Sequence, residues 1–174
     1  MDKTSKDVLD EKPRNPEESI FAHGGMRLII ARGAILTVSV LIAYFAAFAF
    51  NGAYSFSAIK ALSESDPNVL HQAQTMAFTT LAFGELFHMF AMRNTEKSAF
   101  SVFASGNVMM FAAFFVGIAL QFAVIEIPAL QMIFNTANLS GYEWLITAIC
   151  SLLPLLWQEI IAAVKALKRR KRNA

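Results

Sequence analysis

Residues 73–92 read AQTMAFTTLAFGELFHMFAM. As a helix this stretch of about twenty residues rises about 30 Å, the thickness of a bilayer's hydrocarbon core. One acid, Glu85, sits near its middle, with His88 one turn further on. A charge at that depth costs at least about 2.5 kcal/mol to insert, so membrane helices seldom carry one without a use for it. Glu85 therefore meets a cation or a donor inside a helix bundle, or it stays protonated. Both readings point to ion handling, and both need groups from other helices.

The rest of the chain supports a membrane setting. Of 174 residues, 56% are hydrophobic and only 16% charged, against about a quarter charged in a soluble domain. The charges are also segregated. The first 27 residues and the last ten hold 11 of the 15 Lys and Arg. Sixteen Phe and eight Met suit lipid-facing and helix-packing positions. The single cysteine, Cys150, excludes a disulfide framework. The polar, mixed-charge start is unlike a cleavable signal peptide, which leaves the first span to act as its own insertion signal. Lys168 to Arg172, five basic residues just after an apolar run, read as a topology anchor against anionic headgroups and not as a nucleic-acid site.

Four apolar segments have spanning length: Leu28 to Phe50, Ala73 to Met92, Val108 to Ile125 and Trp144 to Val164. Arg32, near the start of the first, is expected to snorkel to the interface. The ten-residue alternation of membrane strands is absent. Lys and Arg are dense in the N-terminal segment, the middle connection (Arg93, Lys97) and the C-terminal tail, and sparse in the other two connections. That alternation predicts an all-α membrane protein, a four-transmembrane-helix bundle with both termini cytoplasmic. The organisation expected is a cytoplasmic segment over 1–27, a membrane domain over 28–164 and a basic cytoplasmic tail over 165–174. Asp66-Pro67-Asn68 marks a turn, His71 to Gln74 is read as the start of the second helix, and Pro128 stops the third.

Phe78, Leu81, Glu85, His88 and Met92 share one face of the second helix by three- and four-residue steps. Glu85 is read as a cation ligand or a proton-exchanging carboxylate, with a neutral acid bonded across the bundle as the alternative. His88 is read as an interfacial polar residue before a ligand. On the third helix Ala113, Gly117 and Gln121, spaced by four, form a small-residue stripe ending in an amide, which suits close packing and one interhelical hydrogen bond. Pro154 breaks a backbone bond in the fourth helix. Glu159 is read as an interfacial ion-pair residue near Lys165. There is no Gly-rich phosphate loop, metal-spaced Cys/His cluster or catalytic triad.

Several segments, taken in order, resemble the C-terminal membrane region of type II P-type cation-transporting ATPases, the calcium-pump branch in particular. Pro13 to Phe21 looks like the loop before their seventh helix. Gln74 to Leu81, continuing to Glu85-Leu86-Phe87-His88, looks like their eighth. Pro128 to Phe134, with Leu139-Ser140 and Glu143-Trp144-Leu145, is similar to their ninth-to-tenth connection, and Ser151 to Pro154 with Glu159 to their tenth. The match covers about residues 12–170. It implies that Glu85 is the carboxylate that the eighth helix contributes to a calcium site. The family's other ion ligands, and its phosphorylation, nucleotide-binding and actuator domains, have no counterpart in this sequence.

The expectation is thus a membrane segment of a cation pump, with no cofactor of its own. Calcium or another cation would be held only together with the remaining helices of a P-type ATPase. The polypeptide by itself is expected to be neither pump nor enzyme, and to reside in the cell membrane. Two alternatives stay open: a structural or regulatory four-pass protein that associates with a pump or with itself, and a non-functional truncated remnant.

Overall fold

The structure, a computed structural model, describes residues 25–93 and 108–173. Most of the N-terminal segment expected over 1–27, the Pro13–Phe21 stretch and the Lys97 connection lie outside the described residues. The described residues form six helices and no strand: α1 (Gly25–Phe50), α2 (Phe56–Ser65), α3 (Pro67–Arg93), α4 (Val108–Glu126), α5 (Pro128–Phe134) and α6 (Gly141–Asn173). The all-α expectation holds.

Three of these, α1, α4 and the Gly141–Val164 part of α6, are long and apolar enough to cross a membrane. At 27 residues α3 is long enough but not apolar enough to join them. Its threonines, Glu85 and His88 dilute the hydrophobic run. The packing explains why this is tolerated. α3 lies against α1, α4 and α6 together, so Thr75, Thr79 and Thr80 are buried in protein. Thr79 donates to the Thr75 carbonyl at 2.7 Å. A hydroxyl spent this way costs little in an apolar setting.

The order of contacts fixes the directions. Ala43, Ala47 and Phe48 of α1 pack with Val69, Ala73 and Met76 of α3, whereas Leu36 lies against Gly84; the two helices run antiparallel. Gln121 reaches Thr79 and Gly117 reaches Leu86, so α4 is antiparallel to α3 as well. A second apolar cluster joins Phe90, Phe114 and Leu155 at the other end of the core. The Phe90 and Phe114 rings meet edge to face at 5.1 Å, a favourable arrangement for their quadrupoles. The outward sides of α1, α4 and α6 expose large apolar side chains such as Ile42, Leu120 and Ile149.

The connections are more ordered than their sequence suggests. α1 ends in a Schellman turn: Gly52, at φ +80, lets Ala53 N donate to Phe48 O and Gly52 N to Ala49 O, both at 3.0 Å. Ser55 then caps α2, accepting from Ala58 N at 3.2 Å. The second long helix starts at Pro67, several residues before the expected His71–Gln74. Asp66 Oδ1 accepts from Asn68 N at 3.0 Å, and Pro67, which has no N–H to satisfy, occupies the first helical position. At the same end, α5 and its flanks are tied down. Gln131 Nε2 donates to Ile125 O and Asn138 Oδ1, Thr136 Oγ1 to Val124 O at 2.7 Å, and Ala137 N to Thr75 Oγ1 at 2.9 Å. Finally, α6 does not stop near Val164. It runs on through the basic segment to Asn173.

A candidate site at a polar crevice beside Glu85

Glu85 lies on α3 with its side chain exposed, turned out of the helix group. It opens onto a crevice of about 360 Å³ where three helices meet, lined by Arg32 and Leu36 of α1, Glu85 and His88 of α3, and Pro154 of α6. The sequence places Glu85 and His88 on one face, and the structure brings them to the same crevice. No hydrogen bond or ion pair to Glu85 forms among the described residues.

Two close approaches build the crevice wall and the face behind it. A Cβ on Gly84 would stand 2.6 Å from Leu36 Cδ1, so a larger residue there would have to displace the tip of the Leu36 side chain. The contact of Gly84 is set by Leu36 on another helix, which spacing along α3 alone does not reveal. Gly117 plays the corresponding part between α3 and α4, where a Cβ would lie 2.6 Å from Leu86 Cδ2. One turn on, Gln121 is buried and its Nε2 donates to Thr79 Oγ1 at 3.1 Å. Gly117 and Gln121 therefore sit between helices. Ala113 does not; it is exposed.

Arg32 departs from its expected course. Its Nη2 turns inward and donates to Gln158 Oε1 on α6 at 2.9 Å. An amide only 2% exposed competes with the interface for the guanidinium, because the bond satisfies two groups that hydrocarbon would leave dry. Gln158 Nε2 remains without a hydrogen-bond partner among the described residues, as do the buried Thr80 and Thr147 hydroxyls. Glu159, next in sequence, is half-buried. The Lys165 side chain with which it was expected to pair lies outside the described residues.

The chemistry available here is limited and specific. One carboxylate supplies at most two oxygens of the six to eight that a calcium ion takes. Among the described residues no three His, Cys, Asp or Glu side chains converge to hold a metal. The crevice offers one anionic ligand and leaves the remainder of any coordination shell to groups from elsewhere.

Long apolar helices around a polar central one make this an integral membrane protein of the helical class. The family model described as "Cation transporting ATPase, C-terminus" matches residues 1–164, and the chain belongs to that family. It is similar to calcium-transporting ATPase 1 of Bacillus cereus, 33% identical over 165 residues, covering 95% of this chain and 18% of the relative. The calcium-transporting ATPase of Bacillus subtilis is 31% identical over 154 residues, 88% of this chain and 16% of the relative. Calcium-transporting ATPase type 2C member 1 of Mus musculus is 27% identical over 141 residues, 80% of this chain and 14% of the relative. The chain thus spans less than a fifth of the length of these curated relatives, and the part matched is the C-terminal membrane region of calcium-pump P-type ATPases.

Proposed function

We propose that this chain forms the last four membrane-spanning helices of a P-type ATPase that transports calcium, with α3 as the second span and Glu85 as its contribution to the ion site. The observation that carries the reading is the state of Glu85. A carboxylate at mid-span, facing outward and with no hydrogen bond or ion pair among the described residues, is too costly to leave to acyl chains. It is accounted for if further helices cover the crevice and a cation bridges them to Glu85. The similarity to calcium-transporting ATPases supports calcium as that cation. The Lys and Arg distribution supports an orientation with both termini cytoplasmic.

ATP hydrolysis, on this reading, belongs to parts of the pump outside this sequence, and the chain acts as membrane scaffold and ligand donor. Association through the Ala113–Gly117 stripe has less support, because Gly117 is already spent against Leu86 inside the chain. The test is co-expression with the remaining portion of a calcium-transporting ATPase, followed by ATP-dependent calcium uptake into membrane vesicles. Uptake that requires this chain and falls about tenfold or more with Glu85→Ala supports the proposal. Uptake indifferent to Glu85→Ala removes the carboxylate from the site, and uptake indifferent to the whole chain defeats the reading.

A further inference from the structure

The short helix between the last two spans is built inside out for water. Its one polar side chain, Gln131, turns back onto the chain, where Nε2 donates to Ile125 O and Asn138 Oδ1. Ala129, Met132 and Ile133 share the outward face of α5 by three- and four-residue steps. Met132 and Ile133 are 81% and 73% exposed, and Phe134, the next residue, is exposed too. Between Ile127 and Tyr142 the chain carries no Lys, Arg, Asp or Glu. A helix that borders water turns its apolar side in and its polar side out. α5 does the reverse, so the medium along its outer face is apolar.

The height of α5 is fixed by α4. The 19 residues of α4 rise about 28 Å, close to the hydrocarbon thickness, and α5 starts two residues after α4 ends. Thr136 Oγ1, just past α5, donates to Val124 O, and Ala137 N donates to Thr75 Oγ1, so α5 folds back on the last turn of the span. At the same level Trp144 Nε1 donates to the exposed Glu126 carboxylate at 3.3 Å. An indole with a polar partner marks the edge of the hydrocarbon, where such rings settle. Glu85 stands roughly 100–120° around α3 from Leu86 and Thr79, which meet α4. Helices recruited over Glu85 therefore approach from another side. A partner seated on α5 would also leave Tyr54 and Phe56 unexplained, both 83% exposed at the same end in the connection after α1. Lipid reaches both flanks.

From this geometry we infer that α5 is an interfacial anchor, with Met132, Ile133 and Phe134 seated in the headgroup–acyl boundary of the leaflet at that end. Its partner is the phospholipid itself, held by apolar contact and not by charge, since this stretch has no basic residue to offer a headgroup. A free helix of seven residues would be too short to partition. This one is delivered to its depth by the spans on either side.

The test is a depth measurement on the full chain in phosphatidylcholine vesicles. Cys150→Ser removes the one native thiol, and Ile133→Cys takes an environment-sensitive fluorophore. The vesicles contain phosphatidylcholine spin-labelled either near the headgroup or near the end of the acyl chain. Val116→Cys, exposed at mid-span on α4, gives the deep reference. At position 133 the shallow spin label should quench about twofold or more better than the deep one, as a site about 5–10 Å below the headgroup boundary requires. At position 116 the order should reverse. Exchanging phosphatidylcholine for phosphatidylglycerol should leave both ratios unchanged. Met132→Cys replaces Ile133→Cys if helicity by circular dichroism falls. Quenching at position 133 by aqueous iodide and not by lipid overturns the proposal, as does a depth equal to that of position 116. So does a depth that requires phosphatidylglycerol. Protection from both iodide and lipid, or lipid quenching that fades as protein density rises, would assign the face to another protein surface and also overturn it.

Discussion

Glu143 and Glu85 are both carboxylates of long helices, and the chain treats them in opposite ways. Glu143 is 6% exposed, at the start of α6, and its Oε2 accepts from Ser140 N at 2.6 Å. With Ser140 ahead of it, this is half of a capping box, in which the acid also answers the positive end of the helix dipole. Glu85 lies near the middle of α3, exposed beside a crevice, with no partner among the described residues. One acid closes the structure of this polypeptide. The other forms no hydrogen bond or ion pair among the described residues.

The contrast predicts opposite signs for one substitution. Glu85→Leu should favour membrane insertion of α3 in the full chain by about 2.5 kcal/mol, read as the inserted fraction in a glycosylation-mapping assay, while eliminating calcium uptake in an assembled pump. An insertion penalty instead of a gain would mean that Glu85 is satisfied within the chain. Gly117→Leu tests the sealed interior and should cost about 1–3 kcal/mol by overpacking against Leu86, seen as a lower unfolding midpoint in detergent. Glu143→Leu should destabilise the chain by about 1–2 kcal/mol in the same assay through loss of the cap, and leave calcium uptake per folded molecule unchanged. Smallest is Gln121→Leu, about 0.6 kcal/mol. Thr79 loses its donor from α4 but keeps its own bond to Thr75 O.

How well the residues foretold this arrangement depends on the kind of signal. Three spans follow from length and hydropathy, because hydrocarbon thickness imposes both. The second was marked by its acid as much as by its oil. The structure explains the mixture by placing α3 in the middle, where threonines can face protein. The start of α3 was misplaced because hydropathy falls before Ala73, while the helix is set by Asp66 and Pro67, which answer to backbone hydrogen bonds. The same distinction hid α2 and α5 in what read as loops, although Ser55 and Pro128 are ordinary helix-start residues.

Within the site, the shared face of Glu85 and His88 was readable from spacing alone. The inward turn of Arg32 was not, since it depends on Gln158, a residue 126 positions away that one helix's periodicity cannot bring to mind. Gly84 escaped for a similar reason: its role is defined by Leu36 on another helix. Of the stripe on α4, Gly117 and Gln121 found their partners, and Ala113 lies at an exposed position.

The unbroken length of α6 has a mechanical meaning. Its 33 residues amount to about 50 Å of helix, well beyond the roughly 30 Å of hydrocarbon that it has to cross. The surplus is helix continuous with the segment that packs on α3, so the backbone of the basic segment leaves the hydrocarbon in a direction set by how the buried portion is seated. A rotation of that portion about its axis would turn the far end of the same helix with it, which a non-helical tail would not follow.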